Sequence, residues 1–450
     1  MENALADCGL VRRNVPLFIA FRVLFQARFY YPVLSILFID LGMTLEQYSL
    51  LNVAWAVTIV LAEVPSGAMA DWLGRKTMVT IAAALMVAEM ALIAFAPANA
   101  GWWLFAVLLV NRVLGGLAEA SASGADEALA YDSLVCEGRE KEWPRVLELL
   151  GRWSSVAFFF VMLLGGALYD HAFLNQTAAW LGVAATFEPL QTLRFPLYLT
   201  LAMGVLCFAA TFFFVEPHQH ACKPEDESPG RILANIRAAA AWLWRSPAAL
   251  FVLAATLCFD SIVRLLLTFV SNYYRLIQLP EWSYGLLGAS FAVIGFFGAT
   301  LGRRLVERHG MATNYTIVAV CILVGLVGIA VPWPYWGAVW VIVISLPMFL
   351  TGFFVSHYLN TLAESRHRAT VLSFRGLAIN LAYGSIGLFY AALTAGLNLQ
   401  MTQADGTLPD PEAVFGASLP WLPAYFALTL VFLGLAGVRL LRPTKKGATP

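Results

Sequence analysis

Long apolar runs alternate along the chain with short breaks rich in charge, proline or glycine. Each run is close to the ~20 residues that a helix needs to cross a ~30 Å hydrocarbon layer. Twelve runs can be placed. In the first half their cores are Pro16–Ile39, Gln47–Ala70, Thr77–Ala96, Gly101–Ser123, Val146–Leu168 and Leu193–Val215. In the second half they are Ala248–Tyr274, Tyr284–Leu301, Thr313–Val331, Trp336–Tyr358, Thr370–Leu397 and Trp421–Leu441. The longest internal polar stretch, Glu216–Gly230, contains Lys223-Pro-Glu-Asp-Glu-Ser-Pro-Gly and cannot lie in hydrocarbon. It divides the runs six and six. The predicted fold is an all-α polytopic membrane protein, with a bundle over residues 1–215, a linker over 216–245 and a second bundle over 246–450. In the linker, Arg231–Arg245 interleaves arginines with Ile232, Leu233, Ile236, Leu243 and Trp244. That pattern fits a basic amphipathic helix on the inner surface, or a cytoplasmic extension of the seventh span.

Composition agrees with the pattern: 60% of the 450 residues are hydrophobic, 12% are charged and the mean hydropathy is +0.73. The charge is balanced, 28 basic against 28 acidic residues, which gives no support for a nucleic-acid partner. Placement of the basic residues is more informative than their number. With the amino terminus inside, and the run-end residues Arg194 and Arg439 counted with the segments they adjoin, inner segments hold 20 lysines and arginines, outer segments hold only Arg194 and Arg275, and six arginines lie deeper within spans. By the positive-inside rule both termini face the cytoplasm. The first apolar run is span-length and carries internal charge, so it is read as the first helix and not as a removable leader. Six scattered cysteines, with no C-x-x-C pair, signal neither a metal site nor a disulfide framework. Phosphate loops, H-E-x-x-H and G-x-S-x-G elbows are absent, so the sequence implies no enzyme and no cofactor.

Between the second and third runs lies Gly67-Ala-Met-Ala-Asp71-Trp-Leu-Gly74-Arg75-Lys76. It reads as a turn at the membrane edge, with glycines for the reversal and a basic pair as inner anchor. A G-x-x-x-D-x-x-G-R-K turn in this place resembles the signature loop of the major facilitator superfamily of secondary transporters. The resemblance implies two pseudo-symmetric six-helix bundles around a central cavity. It also implies that Gly67, Asp71, Gly74, Arg75 and Lys76 act as a conformational latch, with Asp71 meeting the start of the eleventh helix near Ala369–Ser373. A second match is Leu108-Leu-Val-Asn-Arg112-Val-Leu-Gly115-Gly116, which resembles the fourth-helix L-x-x-x-R-x-x-Q-G motif with Gly115 in place of glutamine. Ser123-Gly124-Ala-Asp126-Glu127-Ala-Leu-Ala-Tyr131-Asp132-Ser133-Leu134 resembles an element of bacterial members. The fifth run, Phe158–Gly166, keeps the final glycine pair but lacks the proline of the exporters' G-x-x-x-G-P-x-x-G-G motif. After the eighth span, Gly298-Ala-Thr-Leu-Gly302-Arg303-Arg304 is a degraded echo of the first-half loop.

Charges within spans are costly unless they face a partner or a wet cavity, so each needs a reason. On the fourth span Arg112, Gly116, Glu119, Ser123 and Asp126 fall on one stripe, with Arg112 and Glu119 about 10 Å apart along the axis. This stripe is expected to face the cavity, with Arg112 and Glu119 as a coupling pair. A purely structural ion pair fits the same spacing. In the first span Arg22, Gln26 and Tyr30 share one face and Arg28 lies on another, near the depth of Arg112. Glu63 and Glu89 are read as partners for these arginines or for the latch. Asp132 is read as pairing with Arg139, Lys141 or Arg145. In the second half Asp260 and Arg264 have i,i+4 spacing, Arg375 has no carboxylate four residues away, and His357 lies near the inner end of the tenth span. The expected activity is proton-coupled export of a small organic solute across the cell inner membrane by a monomer. Uptake or facilitated diffusion is the second reading, and a transport-inactive receptor or scaffold on the same fold the third. The bilayer and a small solute are the expected partners, and the proton is the candidate coupling ion.

Overall fold

The computed structural model describes residues 9–217, 241–362, 368–402 and 409–440. Within these residues every regular element is helical. Ten helices are long and apolar enough to span a membrane, or eleven when the bent helix Trp282–Arg308 is counted as one span. The first predicted span is interrupted. It consists of α1 (Leu10–Phe25), a non-helical stretch, a 3-10 turn (Tyr31–Val33) and α2 (Leu34–Asp40).

Two compact units emerge. One comprises Met1–Lys223 together with Gln278–Ala292, the other Pro224–Ile277 with Val293–Pro450. In the first unit α3 (Leu45–Leu73) and α4 (Arg75–Ala94) flank α5 (Trp102–Ala122), which continues after a break as α6 (Ala125–Cys136). Then follow α7 (Trp143–Tyr169), the short α8 (His171–Trp180) and α9 (Pro189–Thr192), and α10 (Phe195–Thr211), which packs on α4 and α1. In the second unit α11 (Pro247–Thr268) leads through α12 (Val270–Leu276) to α13 (Trp282–Arg308), whose first turns belong to the first unit. There follow α14 (Met311–Ile329), α15 (Ala338–Leu362), α16 (Arg368–Met401), α17 (Pro411–Ser418) and α18 (Trp421–Leu440), with α11 packed against α15, α16 and α18.

Local chemistry sets the ends of these helices. Thr44 and Gln47 form a reciprocal capping box at the start of α3, with bonds of 3.2 and 3.1 Å. Pro144, Pro196 and Pro247 each stand in the first turn of α7, α10 and α11, where a missing amide hydrogen costs nothing. The amphipathic segment expected around Arg231 lies mostly outside the described residues.

Candidate functional site

The site begins with the break in the first span. Irregular backbone at membrane depth survives only where protein or a cavity satisfies it. Here the Phe29 amide donates to Thr200 Oγ1 of α10 at 3.0 Å. The Phe29 carbonyl lies so close to α7 that a Cβ on Gly165 would run into it. The expected continuous face of Arg22, Gln26 and Tyr30 therefore does not exist: Gln26 ends α1 and is exposed, whereas Tyr30 is buried. The signal for the break was Pro32, which has no amide to donate to the Arg28 carbonyl as a continuous helix would require.

Arg28 sits on this unwound stretch, 3% exposed. It is paired with Glu89 of α4 through Nη1, while Nη2 lies 3.9 Å from Glu119 Oε1 of α5. The Arg28 and Glu89 side chains are 4% and 6% exposed, but that of Glu119 is 39% exposed. One arginine thus faces two carboxylates, a tight dry partner and a loose, accessible one. With both ionised the triad carries one excess negative charge, which a proton on Glu119 removes while leaving the Arg28–Glu89 pair intact. Glu89 was legible as an arginine partner, but the cluster centred on Arg28 was not.

Arg112 takes a different place from the one its spacing suggested. Its guanidinium lies over the rings of Phe38 and Tyr48, with 4.6 and 6.0 Å to the centroids. Its buried Nε and Nη2 have no hydrogen-bond partner among the described residues. The arginine that approaches Glu119 is Arg28. The neighbouring Asn111 amide donates to the Glu89 carbonyl at 2.6 Å, and the Glu89 carboxylate occupies the space that a Cβ at Gly115 would need. Glycine at the motif's glutamine position is what admits Glu89.

Nearer the start of α1, Arg22 Nε lies 2.7 Å from Asp126 Oδ2, and Nη2 lies 3.0 Å from Glu127 Oε1. Asp126 is 1% exposed and stands in the first turn of α6, beside the break at Ser123–Gly124. Gly124 has φ +77, a left-handed conformation that side chains disfavour. Arg22, Arg28, Glu119 and Asp126 thus form two successive ion clusters along one side of the fourth span.

The signature loop is more helical than its sequence suggested. Gly67 lies inside α3, which runs to Leu73, so the reversal falls on Gly74 alone, with φ +94. The Arg75 and Lys76 amides at the start of α4 donate to the two carboxylate oxygens of Glu216 at 2.9 and 2.7 Å. This is a carboxylate on the positive end of a helix, and Glu216 was not singled out by the sequence. The Arg75 side chain pairs with Asp132 and also donates to the Ala128 carbonyl at 3.0 Å. The partner of Asp132 is thus Arg75 and not Arg139, Lys141 or Arg145. Asn14, fully buried, ties the same corner by donating to Ser133 Oγ and the Val215 carbonyl, both at 2.8 Å. The Asp71 side chain and those of Ala369–Ser373 lie outside the described residues.

In the second unit Asp260 and Arg264 form the expected intrahelical pair, with Nε donating to Oδ2 at 3.0 Å. The Arg264 guanidinium also lies 5.6 Å from the Tyr383 centroid, and the Tyr383 hydroxyl is 3.0 Å from Thr268 Oγ1. Arg375 is half-buried, with its Nε unpartnered among the described residues. His357 is exposed. No group of three or more His, Cys, Asp or Glu side chains could hold a metal among the described residues.

The family model described as Major Facilitator Superfamily matches residues 17–388. No curated protein matches the chain. Among solved structures, a bacterial homologue of the human lysosomal transporter Spinster, inward-facing and unoccupied, is similar at 15% identity and a TM-score of 0.70, covering 96% of each chain. The nucleoside transporter NupG is similar at 14% identity and a TM-score of 0.68, covering 95% of this chain and 98% of that one. A D-xylose-proton symporter is similar at 12% identity and a TM-score of 0.61, covering 96% and 97%. At these identities the likeness establishes the fold.

Proposed function

The chain belongs to the Major Facilitator Superfamily, and on that premise we propose that it is a secondary transporter that moves a small organic solute by alternating access. The observation that carries the coupling assignment is the Arg28–Glu89–Glu119 triad, because a buried arginine with one tight and one accessible carboxylate can trade a proton for a change of partner. Glu119 is assigned as the proton-carrying group and Glu89 as the fixed counter-ion. Arg112, held against Phe38 and Tyr48, keeps positive charge beside the site. Proton-coupled export of a drug or metabolite is the first reading. Uptake is the second, favoured by α7, whose one proline stands in its first turn, and by the likeness to a proton symporter.

The test uses purified protein in proteoliposomes, beginning with nucleosides and pentoses and widening to a drug library by thermal shift. Glu119→Gln is expected to abolish accumulation against a gradient while sparing downhill exchange, and to flatten the pH profile. Accumulation with an unchanged pH profile in this variant would remove Glu119 from the mechanism. Failure of the wild-type chain to support counterflow of any solute would favour the receptor or scaffold reading.

A further inference from the structure

Between α7 and α10 the chain leaves the span region for an excursion with unusual composition. From His171 to Phe187 there is no lysine, arginine, aspartate or glutamate over 17 residues. An excursion surrounded by water has no reason to avoid charge so completely.

The structure shows which side chains this segment displays. Trp180 is 85% exposed, Leu181 64% and Val183 54%. Ala172, Gln176 and Ala179 are exposed on the face of α8 that leads to Trp180. These side chains are held outward by a rigid mount. Asp170 caps α8 through the Phe173 amide at 3.0 Å, and its other oxygen accepts from the Trp282 amide of α13 at 3.2 Å. The Phe173 and Trp282 rings stack at 5.9 Å. Beneath them α7 and α13 touch backbone to backbone, since a Cβ on Gly166 would lie 2.8 Å from the Gly285 nitrogen. At the far end of the excursion Asn175 clasps Phe187, accepting from its amide at 2.6 Å and donating to its carbonyl at 3.0 Å. With its fold fixed from both ends, the segment does not tuck its tryptophan inward.

We propose that this excursion is an in-plane membrane element, whose α8 face and Trp180-Leu181-Gly182-Val183 tip rest in the interfacial layer of the outer leaflet. Three observations select lipid as the occupant. The surface is uncharged and largely apolar, without the length to span. Its exposed tip is led by tryptophan, the side chain that favours the headgroup boundary. The two spans that carry it also expose apolar side chains, Phe160 and Leu164 on α7 and Tyr198 and Val205 on α10. An amphipathic segment lying in the membrane plane binds through such buried apolar area.

Single cysteines at Gln176, Trp180 and Val183 can be labelled with an environment-sensitive fluorophore in the full-length protein, reconstituted in phosphatidylcholine vesicles. Wild-type protein labelled in parallel supplies the background from native cysteines. Quenching by lipids carrying a nitroxide near the headgroup is expected to exceed quenching by aqueous iodide several-fold at all three positions. Dominant iodide quenching would place the segment in water and overturn the proposal. So would shielding from both quenchers that disappears on dilution of protein in lipid, which would mark a contact between copies. Folding of each variant is checked by monodispersity in detergent, and Gln176→Cys, which removes no apolar group, serves if Trp180→Cys is unstable.

Discussion

Gly115 decides the chemistry of the first unit by what it leaves out. The Glu89 carboxylate fills the space beside the glycine, and from there it reaches Arg28. Restoring the family's residue at this position should therefore be harmful here. Gly115→Gln is expected to lower stability by roughly 1–3 kcal/mol, the cost of overfilling a packed interior, and to abolish transport by displacing Glu89. Thermal unfolding in detergent would measure the first effect. Combining it with Glu89→Ala, which vacates the space, should recover part of the lost stability, and a fully additive loss would argue against a steric cause. The residue scale also explains why Arg112 was misplaced by spacing alone. A seven-residue interval puts two side chains on one helical face, but it says nothing about rings from other helices, and Phe38 and Tyr48 capture the guanidinium first.

At the scale of elements, two helix starts in the first unit are held by carboxylates from distant sequence. Glu216 caps α4, and Glu137 caps α1 by accepting the Gly9 and Val11 amides, both at 3.0 Å. Burial alone would push the Glu137 carboxyl up. The two amides and Arg139 outweigh that and hold it below the usual carboxylate range. Its folded-state proton affinity is depressed, so its contribution to stability is fully present above the ordinary carboxylate value of about 4.3 and is lost as pH falls through the lower folded value. Glu137→Gln should accordingly cost stability at neutral pH and reduce the wild-type loss between about pH 5 and the acid limit, as read from melting temperature against pH. An acid limb as steep in the variant as in wild type would assign that limb to other carboxylates.

For the whole molecule, the relevant unit of motion in an alternating-access transporter is a bundle. The proposed latch at Asp71 acts at that scale. Asp71→Asn is expected to leave the protein folded, shift its population toward the inward-open form and slow transport. Cysteine accessibility from each side of the membrane would report the shift, and unchanged accessibility together with unchanged transport would dismiss the latch. The motif's other parts already have local work in the first unit. Gly74 makes the reversal, Arg75 pairs with Asp132, and the amides of Arg75 and Lys76 are capped by Glu216.

The sequence by itself determined the polytopic all-α class, the approximate spans and the family, because each follows from local quantities: span-length apolar runs and a loop motif of fixed spacing. The Asp260–Arg264 pair was equally legible, since both ends lie on one helix. The tertiary structure decided the rest. Only packing by Thr200 and Gly165 shows that the first span unwinds around Arg28, and only the meeting of that unwound stretch with α4 and α5 selects Glu89 and Glu119 as its partners. An ion pair between helices depends on their rotation and depth. Those are set by side-chain volumes and backbone approach across the whole bundle, and no single stretch of sequence contains them.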